Sequence, residues 1–169
     1  MKIFTVGYEG CDIEEFTEGL REKGVTHVVD IRKNPLSRKR GFSKKKLGEE
    51  LAKKDIAYTH MPGLGVPTLW RKQAKTHLIT REKMFRDYVK KVLPKQQDEI
   101  LELLKMAKKK GLTLLCYESD ALDCHRRYIA EEMNRHKKGK LKVENLVLKD
   151  QEEIFLFSIG KRGRVESHS

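Results

Sequence analysis

The chain has 169 residues, a length that fits one domain with a sizeable core. Its 37 Lys and Arg residues against 25 Asp and Glu residues give a formal net charge of +12, which favours polyanionic partners. The longest apolar run near its end, residues 154–157, is far shorter than the roughly 20 residues of a membrane span, so we expect a soluble protein without a membrane partner. Three cysteines without a C-x-x-C pair or a signal-like start predict a reducing, cytoplasmic compartment.

Strand and helix signals alternate in the first third of the chain. Residues 3–6, 25–31 and 56–60 are compact β-prone runs and predict three strands. A helix is predicted in each interval: Asp12 is a suitable N-cap with Glu15 at the capping-box position, and Ser43 is the N-cap of the second helix. This βαβαβ order predicts a parallel sheet with right-handed crossovers and helices packed on it.

The remaining elements extend the same pattern. Thr80 caps a predicted helix that Pro94 interrupts, and a second helix ends at Gly111. Residues 112–116 predict a buried strand, Asp123 the N-cap of the next helix, and residues 141–148 another strand, whereas residues 153–159 are an ambiguous apolar segment. We predict one α/β domain over residues 1–159, a three-layer α/β/α sandwich with a mostly parallel sheet of about five strands, and a disordered tail over 160–169.

Polar and sulfur-bearing residues follow the predicted strands. Parallel strands all end at one edge of their sheet, beside helix N-termini whose unpaired N–H groups point outward. That edge receives Gly7, Tyr8, Asp30, Arg32, His60, Cys116, Glu118, Cys124, His125 and Arg126. We therefore predict a pocket at this edge that binds a phosphate-like anion and transfers a proton beside it.

Roles can be proposed within this set. The candidate catalytic residues are Asp30, His60, Glu118, Cys124 and His125. The candidate anion-binding residues are Gly7, Tyr8, Arg32 and Arg126. Glu118 and His125 are the favoured acid and base, in either order, because histidine titrates near neutrality and a neighbouring carboxylate can orient it. The alternative is structural: His60 would satisfy a backbone group and Asp30 would anchor Arg32.

Cys116 and Cys124 leave several chemistries open. Cys124, at a helix start, is the favoured nucleophile or redox thiol, whereas Cys116, at a strand end, also fits a small buried hydrophobe. Five residues after each cysteine are followed by Leu122 and Ala130 rather than by arginine, which excludes the phosphatase-type C-x5-R loop and the sulfurtransferase loop. A disulfide requires Cα atoms within about 7 Å. A metal site of both cysteines and His125 lacks the usual zinc spacing, so we predict no metal and no cofactor.

The segment 32–54 is strongly basic. It holds ten Lys and Arg residues and two Glu residues, a net charge of +8. The candidate nucleic-acid contacts within it are Arg38, Lys39, Arg40, Lys44, Lys45 and Lys46. Contact with a phosphate backbone competes here with a solvated helix face, and base stacking has less support because few aromatic residues are interleaved.

Several motifs resemble those of the domain of unknown function 488 family. They are Thr5-Val6-Gly7-Tyr8, Val29-Asp30-Ile31-Arg32-Lys33-Asn34-Pro35-Leu36-Ser37, Phe42-Ser43-Lys44, His60-Met61-Pro62-Gly63-Leu64-Gly65, and Cys116-Tyr117-Glu118 followed by Cys124-His125-Arg126. The resemblance extends over residues 2–148. It implies the α/β/α fold and carries no established activity with it.

Two functions of different classes follow from these observations. The first is an enzyme, a hydrolase or transferase, acting on nucleic acid or a phosphorylated small molecule, with Arg32 and Arg126 holding the anion. The second is a non-catalytic nucleic-acid-binding module in which the strand-end polar cluster is a fixed structural network.

Overall fold

The computed structural model describes residues 1–148 and 151, and its centre is one parallel sheet. The strands are β1 (Lys2–Gly7), β2 (His27–Asp30), β3 (Ala57–His60), β4 (Leu112–Cys116) and β5 (Lys142–Asn145). They lie in the order β3-β2-β4-β1-β5, and each neighbouring pair is parallel. Every residue of β4 is buried, because this apolar run is the middle strand and is covered on both faces.

Six α-helices accompany the sheet in the described part of the chain. They are α1 (Ile13–Glu22), α2 (Lys44–Ala52), α3 (Thr68–Lys75), α4 (Arg81–Asp87), α5 (Gln97–Met106) and α6 (Arg126–His136). On one face of the sheet Val28 packs with Phe16 of α1 and Leu47 of α2. On the other face Val29 packs in a second core that includes Ile100 of α5. Helices therefore cover both faces, and the predicted parallel α/β fold with five strands is confirmed.

Two predicted helix starts are confirmed by their hydrogen bonds. The Asp12 carboxylate accepts a hydrogen bond from the Glu15 amide at 2.9 Å, and the Thr80 hydroxyl accepts one from the Lys83 amide at 3.0 Å. Ser43 occupies the predicted N-cap position of α2 but makes no cap bond. Its hydroxyl instead accepts from the Ser37 amide at 3.0 Å, so it fastens the preceding loop.

The predicted N-cap at Asp123 is wrong. α6 begins at Arg126, and His125 is at its N-cap position. Asp123 ends a short 3-10 turn, and its carboxylate accepts a hydrogen bond from Arg81 Nε at 2.8 Å. Cys124, with φ −146° and ψ 146°, is extended and precedes the helix. The helix dipole therefore does not account for reactivity at Cys124.

Some predictions concern the end of the chain. The ambiguous segment 153–159 and the predicted tail 160–169 lie outside the described residues. The strand predicted over residues 141–148 is shorter than expected, since β5 spans Lys142–Asn145. Among the described residues, no helix combines the length and apolar character that crossing a membrane requires.

Candidate functional site

A cleft of about 650 Å³ opens at the carboxyl edge of the sheet. It lies between the ends of β1, β2 and β4 and the helices α3 and α4, and its polar lining comes from all five elements or the loops after them. The cations of the lining are Arg32, Lys33, Arg71, Lys75 and Arg81, and its carboxylates are Glu9, Glu118 and Asp123. Its other polar or sulfur-bearing side chains include Tyr8, Cys116 and His125. The parallel topology thus brings Tyr8, Arg32, Glu118 and His125 to one cleft.

The end of β2 forms a closed network around Asp30. Arg32 donates to the Asp30 carboxylate from its backbone amide at 3.1 Å, from Nε at 2.9 Å and from Nη2 at 2.7 Å. The Tyr58 hydroxyl donates to the same carboxylate at 2.6 Å. A carboxylate offers about four acceptor sites, so Asp30 has none left for a substrate proton. In the structure, Asp30 is the counter-charge that holds Arg32 in position.

Arg32 is positioned by this network and lines the cleft. Its Nη1 donates to the Tyr8 hydroxyl at 3.1 Å. Burial alone would lower the pKa of Arg32, but the Asp30 carboxylate raises it above its usual value. Burial, together with the neighbouring Asp30, also raises the pKa of the Tyr58 phenol. Arg32 is therefore a permanent cation, and Tyr58 stays protonated as a donor.

The end of β4 is organised around a second buried arginine, Arg126. Its side chain has no exposed surface and lies beneath the cleft rather than in its lining. Nη1 donates to Cys116 Sγ at 2.9 Å and to the Glu118 carbonyl, and Nη2 donates to the Ser119 carbonyl at 3.2 Å. Nε donates to the Thr5 hydroxyl at 3.2 Å. Burial lowers the pKa of Arg126 to about 10, against the raising effect of the Glu118 charge. These donors are used within the protein.

The two cysteines of the cluster face each other. The structure joins their Sγ atoms as a disulfide, while the Cα atoms of Cys116 and Cys124 are 7.6 Å apart. This separation is beyond the usual range for disulfides, so a relaxed bridge requires the backbone to move. Cys116 Sγ also lies 3.5 Å from Glu118 Oε2. The sulfur atoms and the Glu118 carboxylate lie within 4.8 Å of one another.

The two candidate histidines hold the backbone after β2. His125 Nε2 lies 3.0 Å from the Ile31 carbonyl, and His60 Nε2 lies 2.8 Å from the Arg32 carbonyl. A carbonyl only accepts, so Nε2 carries the proton in each ring. The other nitrogen of His125, Nδ1, lies 3.8 Å from Cys124 Sγ. Burial lowers the pKa of His125 to about 4, which keeps the ring neutral. His60 is not in the cleft lining.

The backbone after β1 is fastened to the loop after β4. The Tyr8 amide donates to the Cys116 carbonyl at 3.2 Å, and the Glu9 amide donates to the Tyr117 carbonyl at 2.8 Å. A Cβ at Gly7 would collide with the Glu118 carbonyl. Glycine is therefore needed at this position so that the β4 loop can approach β1.

The cations at the mouth of the cleft come mainly from a region that the sequence pattern did not single out. Arg71 and Lys75 lie on α3, which was not predicted, and Lys33 follows β2. All three are exposed, and none forms an ion pair within the described part of the chain. Arg81, by contrast, pairs with Asp123 at 2.8 Å and Glu118 at 3.4 Å. Basic residues near Trp70, after the proline loop, were the available signal.

The basic loop between β2 and α2 adjoins the same mouth. Arg38, Lys39 and Arg40 lie in this loop, and Lys44, Lys45 and Lys46 form the first turn of α2. Lys46 pairs with Glu50 at 3.3 Å, and Lys39 Nζ lies 5.8 Å from the centre of the Phe42 ring. Asn34 and Leu36 of the loop line the cleft. The loop and the cleft are therefore parts of one continuous surface.

The architecture defines a class of protein, a parallel α/β sandwich with a polar cleft at the carboxyl edge of its sheet. The family described as Domain of unknown function DUF488 matches residues 12–133, and the chain belongs to that family. The match includes β2, β3, β4 and most of α6, together with every candidate catalytic residue, whereas Gly7 and Tyr8 precede it. Comparison with curated proteins and with solved structures gives no match.

Proposed function

We propose that the cleft and the adjoining basic loop bind nucleic acid through its phosphate backbone. The observation that carries this proposal is the set of exposed cations at the cleft mouth, Lys33, Arg71 and Lys75, which form no ion pair in the described part of the chain. Unpaired surface cations release counterions when they meet phosphates, which is the main source of affinity in backbone binding.

Some cations of the basic segment 32–54 form ion pairs, and others do not. Lys53 pairs with Glu50 at 2.8 Å, and Lys54 pairs with Glu18 at 3.1 Å. Arg38 and Arg40, which are exposed in the loop between β2 and α2, form no ion pair among the residues that the structure describes. The cations available for a ligand thus include those on the loop that leads into the cleft, and a polymer is better suited to this length of surface than a single phosphate.

Aromatic rings inside the cleft favour a strand whose bases are unstacked. Tyr117 is 48% exposed, and its ring meets that of Tyr8 edge to face with centroids 5.3 Å apart. Tyr8 and Phe85 also line the cleft, but both are buried and Tyr8 is stacked on Phe42, so Tyr117 is the ring of the three that is open to a base. Bases of single-stranded nucleic acid stack on such rings with about 1–3 kcal/mol per base. We therefore propose single-stranded nucleic acid as the preferred ligand, bound in the cytoplasm.

The chemistry of the cleft supports a hydrolase or transferase reaction on that ligand. Cys116, Glu118 and His125 line it together and supply a sulfur, a carboxylate and a neutral imidazole. Asp30, in contrast, has its acceptor sites filled by Arg32 and Tyr58. Because Asp30 has no acceptor site left, the β2 end of the site favours the second candidate function, a nucleic-acid-binding module without catalysis.

The test is binding of labelled single-stranded DNA, single-stranded RNA and duplex DNA, measured by fluorescence anisotropy over a salt series. The test variant combines Lys33→Ala, Arg71→Ala and Lys75→Ala. Its matched control combines Lys108→Ala, Lys109→Ala and Lys110→Ala, which removes the same charge from exposed lysines before β4 at the opposite edge of the sheet.

We expect the cleft variant to lose affinity and to flatten the plot of log affinity against log salt by about 2, since each phosphate contact on a single strand contributes about 0.7. The control should keep the unmodified slope. Equal losses in both variants would reduce the effect to net charge. An absence of binding to all three ligands at low salt would overturn the proposal and favour phosphorylated small molecules.

A further inference from the structure

The sulfur pair beneath the cleft lies in an unusual electrostatic setting. Arg126 is fully buried, and its side-chain partners are Cys116 Sγ, the Thr5 hydroxyl and two carbonyls. If the sulfur were a thiol or part of a disulfide, every one of these partners would be neutral. Arg126 therefore lies where it can donate a charge-assisted hydrogen bond to a metal-bound thiolate at Cys116.

A single thiolate does not account for the rest of the cluster. Cys124 Sγ touches Cys116 Sγ, and the Glu118 carboxylate lies within 4.8 Å of both sulfur atoms. Arg126 contacts Cys116 Sγ, and Arg81 is shared between Glu118 and Asp123. A divalent cation bound between the two sulfur atoms and the Glu118 carboxylate would reduce the repulsion among these three groups.

Three ligand atoms, from Cys116, Glu118 and Cys124, already lie within 4.8 Å of one another, and His125 lies outside this group but next to Cys124. Cys116 Sγ lies 3.5 Å from Glu118 Oε2, and Cys124 Sγ lies 3.8 Å from His125 Nδ1. Zinc bonds of about 2.3 Å to sulfur and about 2.0 Å to nitrogen or oxygen place neighbouring tetrahedral ligand atoms about 3.3–3.8 Å apart. The two sulfur atoms would separate around an ion, and their Cα separation of 7.6 Å is already wide for a disulfide.

In the sequence, Cys124 and His125 are adjacent, which is not the usual spacing of zinc ligands. Their backbone conformations remove this objection. Cys124 is extended, with φ −146° and ψ 146°, whereas His125 is helical, with φ −66° and ψ −17°. This change of direction turns the two side chains toward each other. His125 donates its Nε2–H to the Ile31 carbonyl at 3.0 Å, which leaves the Nδ1 lone pair for a ligand bond. Histidines that bind metals are held in this way by a partner on the other nitrogen.

We propose that Cys116, Cys124, Glu118 and His125 bind one Zn²⁺ ion. Two soft thiolates combined with imidazole and a carboxylate suit zinc better than magnesium or calcium. Cys116, Glu118 and His125 line the cleft, so the ion lies where a bound ligand can reach it. Arg126 donates to the metal-bound thiolate of Cys116, and Arg81 orients Glu118. This inference goes beyond nucleic-acid binding, because it concerns the ion held by the free protein.

The experiment uses the full chain, reduced and stripped of metal, and titrates it with Co²⁺ as a spectroscopic substitute for Zn²⁺. We expect one equivalent of Co²⁺ to give thiolate-to-cobalt charge transfer and the strong visible bands of a tetrahedral site, and Zn²⁺ to displace it. Cys116→Ser and Cys124→Ser should each lose much of the charge transfer. Cys11→Ser, at a cysteine in the other core cluster, is the matched control and should retain the full spectrum.

Glu118→Gln is a further variant that preserves the shape of the side chain, so it tests the site even if a cysteine variant fails to fold. We expect the Glu118→Gln protein to bind Zn²⁺ about tenfold or more weakly. Circular dichroism checks the fold of each variant. Absence of cobalt bands from the folded, reduced protein would overturn the proposal. Formation of a Cys116–Cys124 disulfide in the presence of equimolar Zn²⁺, detected by mass spectrometry, would also overturn it. Because no nucleic acid is present, these outcomes are independent of those for backbone binding.

Discussion

Two arginines are buried at the carboxyl edge of the sheet, and their surroundings differ. Arg32, at the end of β2, is 6% exposed and forms an ion pair with Asp30 at 2.7 Å. Arg126, at the start of α6, is 0% exposed, and its side-chain partners are a sulfur, a hydroxyl and two carbonyls. The β2 end is thus balanced in charge by its own residues. At the β4 end, no carboxylate is hydrogen-bonded to the guanidinium among the described residues, and the Glu118 charge acts on it from a greater distance.

The two ends of the cleft therefore differ in role: the β2 end holds a cation in place, and the β4 end carries the groups that can react. At the β2 end, Asp30 and Tyr58 fix the orientation of Arg32, so this cation is presented to a ligand in one position. At the β4 end, sulfur, carboxylate and imidazole lie close together with no strong mutual hydrogen bonds. Substitutions at the two ends should therefore have different effects on stability and on the state of the sulfur atoms.

Asp30→Asn should have the largest effect. It leaves Arg32 buried without a counter-charge, and its amide N–H groups face the guanidinium, so we expect a loss of about 3–5 kcal/mol in the free energy of unfolding. Urea denaturation followed by the fluorescence of Trp70 measures this loss. Asp12→Asn, at a helix cap where asparagine is equally suitable, is the control and should change stability little. A loss as small as that of the control would show that the pair is not a structural anchor.

Acid should destabilise the β4 end through His125. Because burial lowers the pKa of His125 to about 4, its contribution is fully present above the unfolded pKa of about 6.5 and is lost as the pH falls from 6.5 toward 4. We expect a loss of about 3 kcal/mol over this interval in the presence of a chelator. His125→Gln should flatten the curve of stability against pH, whereas His77→Gln, at an exposed position, should not. Identical curves for all three proteins would contradict a neutral, buried His125.

The two arginines can be compared directly by the same substitution. Arg126→Met removes donors to two carbonyls and should cost about 1–3 kcal/mol, whereas Arg32→Met strands a buried carboxylate and should cost more, about 3–5 kcal/mol. In reduced, metal-free protein, Arg126→Met should also decrease the thiolate absorbance at neutral pH, and Arg32→Met should not. A reversed order of stability, or unchanged thiolate absorbance in Arg126→Met, would remove the distinction between the two ends.

Tyr58→Phe should have the smallest effect. It removes one hydrogen bond to Asp30, but the three donors of Arg32 remain, so we expect a loss of about 1 kcal/mol. Tyr128→Phe is the control, since the Tyr128 hydroxyl makes no hydrogen bond within the described residues. Thermal unfolding compares the two variants. A loss for Tyr58→Phe close to that for Asp30→Asn would make the tyrosine, rather than the ion pair, the main support of the network.

Much of the fold could be predicted because local patterns and topology agree. The run 112–116 is apolar except for Thr113 and lies in the middle of the sheet, and the Asp12 cap depends on only three neighbouring residues. Helix α3 was missed because its apolar residues are few, and only Ala74 is buried. The N-cap at Asp123 was wrong because Arg81, distant in sequence, takes its carboxylate.

The location of the site could be predicted, but its internal pairing could not. Parallel strands bring their ends together whatever side chains they carry, so the convergence of Arg32, Glu118 and His125 follows from topology. The choice of Asp30 as the partner of Arg32, with Tyr58 as a further donor, depends on tertiary distances. Likewise, Arg126 carries the same charge as Arg32, and only its burial next to Cys116 distinguishes it.

The position of β4 in the sheet has a consequence for folding. β1 and β2 are consecutive in the chain but are not neighbours, because β4 lies between them and pairs with both. Phe4 is in register with Thr113, so this pairing closes a loop of more than a hundred residues. Such long-range contacts form slowly. During synthesis β1 and β2 cannot be joined until residue 116 has emerged, and the strand that joins them is the one that delivers Cys116 to the cleft.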